Sequence, residues 1–86
     1  MNKERMMEFE RLIDIVSEVM GAEREEIRME TSFVDDLGAD SLELGQIIMG
    51  IEQEFDIVIE DEDYGRIATV SDAWDAIKNA AERQGS

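Results

Sequence analysis

The sequence lacks several residues on which small proteins often depend for stability or catalysis. Among its 86 residues there is no cysteine, no histidine and no proline. Without cysteine and histidine the chain cannot form disulfides, Cys/His zinc sites, iron–sulfur clusters or a nucleophile–histidine pair of its own. Apolar residues make up 43% of the chain, enough for one small core. We therefore expect a single domain over residues 1–86, with a frayed tail at 84–86.

Long apolar runs are also absent. No stretch approaches the roughly 20 apolar residues of a membrane-spanning helix. The segment Met1–Glu10 is charged throughout and lacks the apolar stretch of a signal peptide. These features predict a soluble cytoplasmic protein with no membrane span.

Basic residues are few: the chain has 8, against 23 acidic residues, for a net charge of −15. This charge excludes nucleic-acid binding through phosphate neutralisation and disfavours anionic membrane surfaces. Residues 23–63 hold 15 of the acids and only 2 bases. Acidity that served only solubility would not need this concentration, so we interpret it as a docking surface for partners with basic patches.

Apolar residues three and four positions apart predict three main helices. The first helix is expected over Lys3–Met20 with Gly21 as its stop. The second begins at Asp40 or Ser41, where Asp40 and Glu43 match the spacing of a capping box, and Thr69 caps the last. The inward positions predicted for these helices are Met6, Phe9, Leu12, Ile13, Val16 and Met20; Leu44, Ile47, Ile48, Ile51 and Phe55; and Val70, Ala73, Trp74, Ile77 and Ala81.

The segments between these helices are expected to be short or irregular. Residues 22–40 are expected to form a long loop with one helical turn near Glu23–Ile27. The segment Ile57–Ile59 is expected to be an extended link that buries alternate side chains, and Asp61–Arg66 is expected to form a short helical turn. The predicted fold class is all-α: a small bundle of three main helices plus one short helix. The loop is expected to pack on the core through Ile27, Met29, Phe33, Val34 and Leu37.

Familiar metal and phosphate motifs are not matched. In the run Glu60–Gly65 the glycine can take position six of an EF-hand loop, but Tyr64 and Ser71 then occupy positions five and twelve, where ligands are required. No Gly-rich phosphate loop or G-x-S-x-G elbow is present. Weak divalent-ion binding by Asp35, Asp36 and the acidic run is an alternative to a solvated acidic face. The pattern favours the solvated face, so we expect no metal site.

The second helix carries two features beyond its core stripe. Leu42, Gly45 and Met49 form a second stripe, which fits either a partner surface with an apolar centre or ordinary scattered apolar residues. Ser41 stands at the helix start, where serine is usually a cap. The chain supplies no histidine to activate it, so Ser41 is expected to act, if at all, as an acceptor for a group that another enzyme transfers. The polar residues around the second stripe are Glu43, Gln46, Glu52 and Gln53.

The run Leu37–Glu43 closely resembles the attachment motif of acyl carrier proteins. The likeness extends over nearly the whole chain, in order. Further matching segments are Phe33, Asp35 and Asp36 before the serine, and Glu52–Phe55, Ile59–Glu62 and Ile67–Val70 after it.

The resemblance implies that Ser41 receives a 4'-phosphopantetheine arm from coenzyme A through a phosphopantetheinyl transferase. The thiol of the arm would hold acyl groups as thioesters. The chain itself has no cysteine and so could not form a thioester on its own side chains. The protein would be a monomeric carrier and not an enzyme. It would serve the ketosynthase, reductase, dehydratase and acyltransferase of fatty-acid synthesis, and the bundle interior would shelter the acyl chain. By resemblance the docking residues are Asp40, Leu42, Glu43, Gly45, Met49, Glu52, Gln53, Ile59 and Asp61.

Three departures from the family pattern leave the pathway open. Gln46 stands where Glu is common, Gly45 where an aliphatic residue is usual, and Glu60 in place of a frequent Pro. A carrier for a polyketide, lipid-modification or aminoacyl pathway is the alternative within the class. From another class, an acidic interaction or inhibitor protein without a prosthetic group would explain the charge but not the motif around Ser41. An enzyme would have only carboxylates to work with.

Overall fold

The computed structural model describes the backbone of residues 3–85 and the side chains of residues 8–83. Within them the chain forms α1 (Lys3–Met20), a 3₁₀ turn (Arg24–Glu26), α2 (Ser41–Phe55), α3 (Asp61–Tyr64) and α4 (Val70–Gly85). This arrangement confirms the predicted all-α class, with three main helices, one short helix and a long loop between α1 and α2. Between residues 3 and 85 no helix is long and apolar enough to cross a membrane.

The first helix ends where the sequence predicted. Gly21 adopts a φ of +66°, which glycine reaches without the steric cost of a Cβ. Its N–H donates to the Ser17 carbonyl at 2.8 Å, and Ser17 Oγ donates to the Ala22 carbonyl at 2.6 Å. These two bonds close the last turn of the helix at Gly21. The predicted inward residue Met6 lies in α1, but its side chain is outside the described residues.

The core lies where α1, α2 and α4 meet. The largest fully buried side chains are Phe33, Leu12, Ile47, Ile51, Val16 and Val70. The prediction for α4 was wrong at one position, because Ala81 is exposed while Ala80 is fully buried. The inward stripe of α4 steps by three residues from Ile77 to Ala80. α4 extends to Gly85. The fraying expected for residues 84–86 stays a prediction, and Ser86 lies outside the described residues.

The long loop packs on the core, but through fewer residues than predicted. Ile27 and Phe33 are buried and Leu37 is partly buried, whereas Met29 and Val34 are exposed. For Val34 the reason is local: residues 32–38 coil as a turn, with the Gly38 N–H donating to the Val34 carbonyl at 3.1 Å, so only one side of the turn can face the core.

Backbone hydrogen bonds tie this loop to the start of α4. The Phe33 N–H donates to the Ala68 carbonyl at 3.0 Å, and the Val70 N–H donates to the Thr31 carbonyl at 2.9 Å. Thr69 caps α4 as predicted, since its Oγ1 accepts from the Asp72 N–H at 3.2 Å. These bonds fix the middle of the loop to the start of α4.

The link between α2 and α3 alternates as predicted, with Ile57 and Ile59 buried and Val58 exposed. α3 is a single helical turn, and it is joined to the end of α4. Arg83 Nη2 donates to Asp63 Oδ2 at 2.7 Å. This ion pair crosses 20 residues of sequence and ties the short helix to the bundle.

Candidate functional site

The start of α2 is built around a reciprocal capping box. Asp40 Oδ1 accepts from the Glu43 N–H at 2.8 Å, and Glu43 Oε1 accepts from the Asp40 N–H at 3.2 Å. The predicted capping role of this pair is therefore confirmed. Both carboxylates are engaged by backbone, and they flank Ser41, the first residue of the helix.

The loop brings Ser41 to a defined place on the bundle. Gly38 has a φ of +71°, so the chain turns sharply three residues before the serine. Ala39 is 5% exposed, and its N–H donates to the Phe33 carbonyl at 2.8 Å. Because Phe33 is fully buried, this bond anchors the segment directly to the core.

The hydroxyl of Ser41 is open to reaction. Its side chain is exposed, and none of the hydrogen bonds found among residues 8–83 involves Ser41 Oγ. The first amides of a helix have no partner within it and favour anions. A phosphate ester on this oxygen would therefore lie beside the first amides of α2, of which the Glu43 N–H already donates to Asp40 Oδ1. The site fits a phosphopantetheine group on these grounds.

The second stripe of α2 is exposed, as the sequence suggested. Leu42 is 71% exposed and Met49 is 59% exposed. Gly45, between them, is half-buried. Polar residues border this stripe: Gln46 and Gln53 are exposed, and Glu43 and Glu52 are half-buried.

At the far end of the stripe, the two proposed docking residues Asp61 and Ile59 differ in exposure. Asp61 is exposed at the start of α3. Ile59 is only 7% exposed, because it takes an inward position in the alternating link. Its backbone N–H donates to Glu52 Oε2 at 2.9 Å. Ile59 therefore affects this surface by holding the Glu52 carboxylate, and not through its own side chain.

Tyr64 also lies near these residues, although its position in the sequence indicated no role. Its ring is half-buried against the core, and its hydroxyl lies 3.9 Å from the position that a Cβ on Gly45 would occupy. The large side chain of Tyr64 on α3 thus faces Gly45 on α2, which has no side chain. Local sequence could not show this pairing, because the two positions lie on different helices.

The acidic residues near the site do not gather into a metal site. Asp36 Oδ2 accepts from the Ser32 N–H at 2.7 Å, which places this carboxylate in the turn of the loop. Over the described residues, no group of three or more potential ligands is placed to hold a metal ion.

Comparisons with known proteins agree with this geometry. The family model described as a phosphopantetheine attachment site matches residues 10–77. An acyl carrier protein of Clostridium acetobutylicum is 45% identical over 76 residues, spanning 88% of this chain and 99% of that protein. The crystal structure of an acyl carrier protein from Thermotoga maritima superposes with a TM-score of 0.78 at 33% identity, over 95% of both chains.

Proposed function

The chain belongs to the acyl carrier protein family, whose prosthetic group is 4'-phosphopantetheine, and from this premise we propose that Ser41 is its attachment residue. The observation that carries the proposal is the exposed hydroxyl of Ser41 without a hydrogen-bond partner in the described chain, at the first position of α2. Ser41 lies within residues 10–77, which the family model matches, and within the motif Leu37–Glu43.

The chemistry of attachment assigns Ser41 the role of acceptor. Its oxygen forms a new ester bond to phosphorus, the pyrophosphate bond of coenzyme A breaks, and the adenosine nucleotide leaves. The hydroxyl proton passes to a base of the transferase, because this chain has no histidine. The bound group supplies the thiol that this chain lacks. The first amides of α2 stabilise the phosphate anion, while the capping box keeps the carboxylates of Asp40 and Glu43 turned toward the backbone.

The surface around Ser41 supports docking by partners with basic patches. Leu42 and Met49 supply an apolar centre, and acidic side chains supply the long-range attraction. In this proposal Asp61, Gln53 and Glu52 form the far end of the docking face, and Ile59 acts by holding Glu52 in place. The partners are a phosphopantetheinyl transferase and the ketosynthase, reductase, dehydratase and acyltransferase of fatty-acid synthesis, which the chain serves as a monomeric, non-catalytic cytoplasmic carrier.

Intact-protein mass spectrometry tests the attachment. The purified chain is incubated with coenzyme A and a promiscuous phosphopantetheinyl transferase, together with Ser41→Ala and Ser71→Ala. Ser71 is a matched control, because it also lies in the first turn of a helix. We expect one phosphopantetheine mass on the wild type and on Ser71→Ala, and none on Ser41→Ala. An unmodified wild type beside a modified control carrier would leave the acidic interaction protein as the function to pursue.

A second experiment tests the fatty-acid assignment. The loaded protein is offered to purified fatty-acid synthesis enzymes, as wild type and as Gln46→Glu. If the missing charge at Gln46 only weakens docking to these partners, the substitution raises kcat/KM a few-fold, and more at low salt. Absence of turnover with both proteins would favour a specialised acyl pathway.

A further inference from the structure

The hydroxyl of Tyr64 lies on the face of α2 that carries Ser41. Ser41 and Gly45 are four residues apart, so they occupy the same side of the helix, one turn from each other. Tyr64 reaches this side from α3, with its hydroxyl 3.9 Å from the Cβ position of Gly45. Its ring packs against the core, which fixes where the hydroxyl is presented.

This hydroxyl is available for a ligand. Among the described residues it has no hydrogen-bond partner. Ionised carboxylates accept hydrogen bonds but cannot donate them, and those of Asp40 and Glu43 already cap the helix. Tyr64 adds a neutral group to this face that both donates and accepts.

The two glycines of α2, Gly45 and Gly50, differ in the space that a side chain would find at each position. A Cβ on Gly50 would come within 3.0 Å of Ile15 Cγ2, so packing against α1 explains that glycine. At Gly45 the nearest atom, Tyr64 Oη, would be at an ordinary contact distance of 3.9 Å. Packing does not require glycine there, and glycine is unfavourable inside a helix. Its effect is to leave open the space between Ser41 and the Tyr64 hydroxyl.

We propose that Tyr64 is a positioning residue for the prosthetic arm, with its hydroxyl oxygen accepting a hydrogen bond from an amide N–H of the arm as the arm passes Gly45. This inference rests on the proposed attachment at Ser41 and assigns a second residue to the same site. The arm is peptide-like, with amide groups that both donate and accept, which matches a phenol. Tyr64 thereby holds the arm along α2, and Gly45 keeps the path clear.

The chain has one tyrosine, so labelling Tyr Cζ with ¹³C gives one NMR resonance that reports on this hydroxyl. We compare the apo protein with the holo protein, whose loading is first verified by mass. We expect the Tyr64 resonance to shift on loading. In holo Tyr64→Phe we expect the arm amide that bonds Tyr64 to exchange with solvent about fivefold faster, the factor expected for one hydrogen bond. An unchanged resonance, or equal exchange in the two holo proteins, would overturn the proposal.

Two variants keep the test specific. Tyr64→Phe retains the ring that packs on the core, and an unchanged backbone spectrum confirms its fold. Gly45→Val retains the hydroxyl but fills the path beside it, so loading should no longer shift the Tyr64 resonance. A shift of wild-type size in Gly45→Val would count against the path. Failure of the wild type to gain the phosphopantetheine mass would overturn the proposed attachment at Ser41. The mass measurement therefore tests the attachment separately from the role of Tyr64.

Discussion

The carboxylate of Glu52 on α2 accepts a hydrogen bond from the backbone N–H of Ile59, with Oε2 and nitrogen 2.9 Å apart. This contact joins the docking face to the link that leads into α3. Glu52 therefore holds the link, and substitutions can separate this contact from the role in partner attraction that we propose for the same side chain.

Glu52→Ala should lower the free energy of unfolding by about 1 kcal/mol, because the Ile59 N–H loses its acceptor. Glu52→Gln keeps an acceptor oxygen and should stay close to the wild type in urea unfolding. If the role in partner attraction is also real, both variants weaken binding to a basic partner. Equal stability of the Ala and Gln variants would contradict the structural role.

Asp40→Ala should lower the free energy of unfolding by about 1 kcal/mol, the typical value of an N-cap. Asp40→Asn retains a side-chain acceptor for the Glu43 N–H and should lose much less. Thermal unfolding of the two variants measures the difference. Two variants equally unstable would show that charge, and not the hydrogen bond, makes Asp40 stabilising.

Gly45→Ala and Gly50→Ala form a matched pair on one helix. Alanine at Gly45 meets only Tyr64 Oη at 3.9 Å, so helix propensity should raise the free energy of unfolding by up to about 1 kcal/mol. Alanine at Gly50 would approach Ile15 Cγ2 to 3.0 Å, and the strain should cancel that gain. Urea unfolding decides, and a larger gain at Gly50 would contradict the described packing of α1 on α2.

Asp72 should make stability depend on pH. The Thr69 and Ala68 N–H groups both donate to its Oδ2 at 3.0 Å, and these bonds lower the pKa of the Asp72 carboxyl below its ordinary value. The folded state thus favours the ionised form. The stabilisation is complete above the unfolded pKa of about 4 and is lost as pH falls through the lower folded pKa.

Asp72→Asn isolates this effect from the other acidic groups. The wild type should be more stable than the variant at neutral pH, by an amount that stays constant down to about pH 4 and shrinks below it. Unfolding free energies of both proteins across this range provide the measurement. A difference that grows as pH falls would reverse the assigned sign.

Salt should stabilise the fold. With 15 acids and 2 bases between residues 23 and 63, repulsion opposes the compact state, and salt screens it. The Tm should rise between about 0.01 and 0.15 M ionic strength, as the Debye length falls from about 30 to 8 Å. A Tm that is flat over this range would count against a concentrated acidic face.

Local chemistry determined what the sequence predicted correctly. Helix bounds follow from apolar periodicity and from stop and cap residues, so Gly21, the Asp40–Glu43 box and Thr69 act as predicted. The attachment motif and the concentration of acids around it are also properties of consecutive residues. Each depends on contacts within a few positions of the chain, which one sequence is sufficient to reveal.

The remaining features were decided by the packing of distant segments. Ala81 is exposed because the inward stripe of α4 follows Ala80, and Val34 is exposed because its turn presents one side to the core. Ile59 is buried while its N–H fixes Glu52. The approach of Tyr64 to Gly45 depends on how α3 lies against α2. These are contacts between elements, and no spacing along the chain encodes the distance between two helices that meet only in the folded protein.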